Sequence, residues 1–255
     1  MAETGDQKPP APFLFRHRGL LIGLAYLLSA GLAYLLQPVW PAGPLDRFLA
    51  VAPAGRIGST GGDVPLVQAA VPFLLVLVCW GWRSWGTSYL RGHVMADSRM
   101  HVDRLIVAGP FRWLRNPLYL GNLFMVAAFG LLLPPPGLLL ALALHGLLLG
   151  TLAHLEAKAL RLRHGAEYEA YAARVPSFLP WPPRRGTPDS PVAPDWRNGF
   201  LTEAWIPAFA LYLLGVQTHQ PAITWGAVAL MAGVMLRNRA ANRSARLAGS
   251  PGRRP

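Results

Sequence analysis

Residues 118–155 contain no Lys, Arg, Asp or Glu, and this run is interrupted once, by Pro134-Pro135-Pro136-Gly137. No other feature restricts the fold as much. A helix crosses a hydrocarbon core with ~20 apolar residues, and each half of the run comes close to that length. Three consecutive prolines do not continue a helix. The stretch therefore predicts a helical hairpin with its tip at Pro134–Gly137, whose two polar ends, near Asn116 and Glu156, return to one face.

The rest of the chain has the same character. Of 255 residues, 53% are hydrophobic and 14% are charged, against ~25% charged in an ordinary soluble domain. Further apolar runs occupy Gly19–Gln37, Val64–Trp82, Phe200–Val216 and Pro221–Leu236. The expected fold is all-α: a polytopic membrane bundle of about six transmembrane helices with a cytoplasmic cofactor pocket. The first run lacks a small-x-small cleavage site behind it and reads as a retained helix. Of the 24 Lys and Arg, all but Arg47 and Arg56 fall in alternate connecting segments. The positive-inside rule puts those segments, and both termini, in the cytoplasm. Orientation thus accounts for most of the net charge of +12, and nucleic acid is not an expected partner. Trp80, Trp82 and Trp85 at one end of the second run, and Trp40 and Trp225 at the other face, fit interfacial anchors.

Cys79 is the single cysteine and lies in an apolar run, so neither an internal disulfide nor a thiolate metal cluster is available. The seven histidines show no HxxxH spacing, and no metal site is expected. Arginine far outnumbers lysine, pointing to a GC-rich bacterial genome and an inner membrane. The chain divides into membrane helices one and two with their connection (1–95), a hairpin and cytoplasmic helix (96–181), a Pro-rich linker (182–199), and a two-helix appendix with a basic tail (200–255).

Two motifs flank the hairpin. Before it stands "GPFRWLRNPLYLGN" (109–122). Gly109-Pro110 signals a turn, Pro117 suits the first turn of a helix, and Asn116 is pushed out of helical geometry by the proline behind it. The orphan N–H groups of a helix start favour anionic groups, with Arg112 and Arg115 adding positive charge. After the hairpin comes "EAKALRLRHGAEYEAYAARVPSFLPW" (156–181). Glu156, Leu160, His164, Tyr168, Tyr171 and Val175 recur every three or four residues, predicting one helical face, with Pro176 ending the helix.

This ordered pair of motifs resembles the isoprenylcysteine carboxyl methyltransferase and phospholipid methyltransferase group, integral-membrane enzymes that use S-adenosyl-L-methionine. The likeness covers about residues 96–181. It implies that Asp103, Arg104, Leu105 and Ile106 help line the cofactor site, with Phe111 at the aromatic position of the turn. Asn116, Pro117, Leu118 and Tyr119 stand where the family has its HPxY cofactor-binding tetrad. Glu156 matches the first glutamate of EExxL, and Tyr168 and Tyr171 match the later motif that closes the site. The chain departs from the pattern at Asn116, which replaces histidine, and at Ala157, which replaces the second glutamate. It also departs at Leu152, where the eukaryotic prenylcysteine enzymes place an arginine that contacts the carboxyl substrate.

The resemblance implies methyl transfer from S-adenosylmethionine to a lipophilic acceptor: a prenylcysteine-like carboxylate, a lipid amine or another membrane-soluble molecule. An ammonium acceptor would need a base, and Glu156, His164 and Tyr119 are the nearby candidates. The competing classes are a non-catalytic membrane scaffold or assembly protein and a nicotinamide-dependent membrane reductase. The apolar runs carry almost no charge apart from Glu203, which argues against a proton-coupled transport path.

Overall fold

A computed structural model of the protein describes residues 13–36, 66–90, 105–131, 133, 135–183, 187, 189–217 and 220–248. Expectations for Trp40, Asp103, Arg104, Pro134 and both chain termini lie outside the described residues. Most of the described residues are helical, with a short 3-10 turn at Gly109–Arg112 and no strand among them.

The elements are α1 (Phe13–Arg16), α2 (Arg18–Leu36), α3 (Leu66–Tyr89), α4 (Pro117–Gly130), α5 (Pro135–His164), α6 (Ala166–Ala172), α7 (Trp196–Thr202), α8 (Trp205–Gln217) and α9 (Pro221–Ala248). The long helices stand in a row, α2 against α5, α5 against α4, α4 against α3, α3 against α8 and α8 against α9. The α4–α5 pair is the hairpin. It turns between Gly130 and Pro135, and a Cβ on Gly130 would run into Leu138 of the returning arm. Pro135 and Pro136 occupy the first turn of α5, where the missing N–H groups cost no helical bond.

Among the described residues, α5 is the one helix long and apolar enough to cross a membrane, while α4 and the Arg18–Ala33 part of α2 are shorter apolar helices. Its 30 residues extend about 45 Å at 1.5 Å per residue, whereas a hydrocarbon core is about 30 Å thick. The charge-free part ends at Leu155, so Glu156 and the basic last turns of α5 project past the apolar segment.

Two expectations are corrected here. Residues 156–175 do not form one helix. Gly165 adopts φ 52°, a conformation that L side chains rarely take, and it separates α5 from α6. The helix also stops at Ala172, ahead of Pro176. The predicted face still converges, because Tyr168, Tyr171 and Val175 pack with Val107 while Leu160 and Leu105 close the cluster. The second correction concerns the Pro-rich linker, whose last residues are helical. Asp195 caps α7 by accepting from the Asn198 N–H at 2.9 Å, and its own N–H donates to the Ser88 carbonyl at 2.8 Å. Gly199 then lets α7 lie directly on α3, since a Cβ there would meet the Ser84 carbonyl.

The appendix shares the body's core. Ile206 and Ala210 of α8 pack with Val76 and Cys79 of α3 and with Met125 and Ala128 of α4. Beside this contact lies a buried charge network. Arg83 Nε and Nη2 donate to the two carboxylate oxygens of Glu203, each at 3.0 Å. Thr87 Oγ1 and Trp205 Nε1 also donate to Glu203, at 2.8 and 3.2 Å. Arg83 Nη1 reaches Asn122 of α4 at 2.7 Å. Glu203 is 1% exposed and sits at the C-cap of α7, between helices rather than within an apolar span.

Candidate active site

The two motifs that flank the hairpin meet in space. Tyr119, one turn into α4, donates its hydroxyl to Glu156 Oε1 at 2.9 Å, bridging 37 positions of sequence. Beneath the pair, Tyr119 packs with Phe15, Leu149, Leu152 and Ala153, and Phe178 closes the cluster from the later motif. Leu152 is completely buried in that apolar wall.

The turn before α4 is pinned to the segment after α6 along its length. The Arg115 N–H donates to the Pro176 carbonyl at 2.8 Å, and the Trp181 N–H to the Trp113 carbonyl at 3.1 Å. Asn116 Nδ2 donates to the Ser177 carbonyl at 3.1 Å and to its hydroxyl at 3.0 Å. Tyr171 donates to the Phe111 carbonyl at 2.7 Å, and Arg115 Nη1 donates to the Tyr168 hydroxyl at 3.2 Å. Asn116 has φ −123° and ψ 60° and makes no side-chain cap to α4. Its backbone is non-helical, as the following proline requires, but its amide ties the two segments together instead of facing the helix mouth.

The expected site residues thus do not gather in one place. Tyr119 and Glu156 are in direct contact. Asn116 and Phe111 face the 171–178 segment, and Leu105 joins the Tyr168 cluster. Pro117 and Leu118 lie against Gly86 of α3, a packing role. Ile106 is half-buried in the extended segment before the turn.

The electrostatics of the pair are unusual. Glu156 is half-buried as a residue, but its carboxylate is drawn inward onto Tyr119. Burial pushes the carboxyl up to about 7, which the Tyr119 hydrogen bond and the nearby Arg18 charge oppose without cancelling. Burial likewise raises the Tyr171 phenol, against the lowering effect of Arg115, so this hydroxyl stays a donor to Phe111. A carboxyl that titrates near neutrality can accept a hydrogen bond or take a proton at working pH.

A pH dependence of stability follows. The folded-state pKa of Glu156 stands above the ordinary carboxylate value of ~4.3, so folding disfavours its ionised form. The stability this group contributes is fully present below the unfolded pKa and is lost as pH rises through about 7. Thermal unfolding in detergent is expected to show the wild type losing stability relative to Glu156→Gln between pH 5 and pH 8. A constant difference across that window contradicts the assignment.

Elsewhere, a cavity of ≈ 560 Å³ opens beside the turn. It is bounded by Trp85, Tyr89, Gly109, Arg112, Trp113 and Asp189, among others, and includes none of Asn116, Tyr119 or Glu156. Sequence alone did not pick out this cavity, nor the Arg83–Glu203 pair. Arg83 at the end of an apolar run and Glu203 amid another were the available signals. His164 Nδ1 also stands 3.7 Å from Glu167, and no group of metal-binding side chains occurs among the described residues.

At the hairpin mouth the Glu156 carboxylate retains acceptor capacity beyond its one hydrogen bond, and aliphatic walls adjoin it. Compared with models of protein families, with curated proteins and with solved structures, the chain finds no match.

Proposed function

We propose that this chain is a multi-pass membrane methyltransferase of the bacterial inner membrane, moving a methyl group from S-adenosylmethionine to a lipophilic acceptor at the cytoplasmic face. The observation that carries this is the Tyr119–Glu156 hydrogen bond, because it unites the two sequence motifs at one polar mouth. In this reading α2, α3, α4, α5, α8 and α9 are the six spans. Support comes from the outward side chains of the row. Leu27, Leu35, Leu74, Leu139, Leu147 and Leu230 are among many large apolar residues exposed on its flanks, an arrangement suited to lipid and adverse in water.

When bound, S-adenosylmethionine supplies an electrophilic methyl carbon, and its sulfur departs as a neutral thioether. The protein's task in such an in-line displacement is placement, with reacting atoms held ~3–3.5 Å apart. Glu156 accepts hydrogen bonds from the donor's polar groups, and Tyr119 fixes the carboxylate's orientation. The Asn116–Ser177 and Arg115–Pro176 bonds hold the turn against the 171–178 segment. For an ammonium acceptor, Glu156 also takes the proton that must leave before nitrogen attacks. Leu152 supplies no cation for a carboxylate acceptor, which favours an acceptor without one.

Incubating the purified protein with methyl-labelled S-adenosylmethionine and a bacterial lipid extract, then analysing the extracted lipids by mass spectrometry, tests the proposal. Label in a lipophilic product is the expected result. Donor binding without any labelled lipid contradicts the transferase and favours a scaffold.

A further inference from the structure

The ≈ 560 Å³ cavity lies within the size of small-molecule sites, ~300–1,000 Å³; the turn of the first motif forms one wall, but neither Tyr119 nor Glu156 reaches it. We propose that it binds a small zwitterion whose cationic end is an alkylated onium group, an ammonium or a sulfonium. This goes beyond the methyl-transfer proposal for a lipid headgroup, and it rests on that proposal where the ligand is the methyl donor itself.

Four features of the walls select that chemistry. Trp85 and Trp113 stand with ring centroids 6.3 Å apart and planes inclined at 66°. A flat heterocycle is held best by parallel faces, whereas a compact cation is met by ring surfaces from different directions. Tyr89 adds a third ring, brought close to the turn because Gly109, at φ 56°, has no Cβ to strike it. Rings already covered by a protein cation are Phe15, Trp205 and Tyr168 among the described residues, and these are not the rings of the cavity.

The charges form the third feature. Arg112 Nη1 and Asp189 Oδ2 pair at 2.9 Å across the cavity wall, with side chains 33% and 57% exposed. A pair that open contributes little to stability and can be exchanged for a ligand carrying both signs. The anionic end would take Arg112, and the onium would lie between the rings and Asp189. Fourth, Arg112 Nε is buried without a hydrogen-bond partner, and an orphan donor in that guanidinium is relieved by an anion that reorients it.

Two sources offer this chemistry: a phosphocholine headgroup of the surrounding lipid, and S-adenosylmethionine, whose sulfonium and amino-acid end are also zwitterionic. The test uses full-length protein in a maltoside detergent, which brings no onium of its own. Binding is read by tryptophan fluorescence and calorimetry for two matched pairs. These are glycerophosphocholine against glycerophosphoglycerol, and S-adenosylmethionine against S-adenosylhomocysteine.

In at least one pair the onium member is expected to bind about tenfold more tightly, with tetramethylammonium competing. Trp113→Ala should erase that preference and Trp113→Phe should restore most of it. Trp113 is 36% exposed, and an unchanged melting temperature in both variants verifies the fold. A preference confined to the first pair assigns the cavity to the lipid headgroup, and one confined to the second assigns it to the donor. Equal binding within both pairs overturns the proposal, as does a preference that survives Trp113→Ala. Donor affinity that falls with Glu156→Ala but ignores Trp113→Ala, with no headgroup preference, overturns this proposal and leaves the methyltransferase standing.

Discussion

Glu156→Ala is expected to weaken S-adenosylmethionine binding by roughly 10- to 100-fold, the worth of a hydrogen bond to a charged group in a shielded site. Tyr119→Phe removes the hydroxyl and keeps the ring in its apolar wall. Its loss should be about tenfold, because the carboxylate remains but is no longer oriented. The double variant should lose little more than Glu156→Ala alone, since Tyr119 acts on the donor through Glu156. Calorimetry in detergent or nanodiscs measures all three. Unchanged donor affinity in both single variants removes the hairpin mouth from consideration as the donor site.

The second large effect is structural. Arg83→Met or Glu203→Leu, made singly, is expected to destabilise the protein by about 3–5 kcal/mol, because each leaves the other charge buried without its partner. In thermal unfolding this corresponds to a fall on the order of 10 °C for a chain of this size. Combining the two should recover most of the loss, as an apolar pair of similar bulk replaces the ion pair. The pair is 10% and 1% exposed, so screening by salt does not rescue the singles. Additive losses in the double variant would show that the two charges are not energetically coupled.

What the sequence reveals differs from element to element. The α4–α5 hairpin is legible because charge is missing over a long run and three prolines stand at its tip. The approach of Tyr119 to Glu156 follows from that, since a hairpin returns both of its polar ends to one face. The break at Gly165 is not legible from periodicity: apolar residues continue at steps of three and four on both sides of it, and a positive φ leaves no mark on that pattern. Helix α7 is hidden for the opposite reason. Its cap, Asp195, follows five prolines among the residues from 182 onward, and such composition reads as a linker.

The site is partly legible in the same sense. Tyr119 and Glu156 are brought together by a local regularity, the hairpin. Asn116 has the backbone that its proline neighbour dictates, yet its amide goes to Ser177, a residue marked by nothing in either motif. The Arg83–Glu203 pair spans 120 positions, and its formation depends on how α7 and α8 pack on α3, which local pattern does not encode. The cavity beside the turn has the same origin, because its walls come from α3, the turn and the 189–193 segment.

The most direct measurement is equilibrium binding of S-adenosylmethionine and S-adenosylhomocysteine to the purified wild-type protein, by calorimetry in nanodiscs. Saturable binding of at least one of them at one site per chain, weakened by Glu156→Ala, is the predicted result. Absence of heat from either compound at millimolar concentration, with protein that unfolds cooperatively, would contradict it.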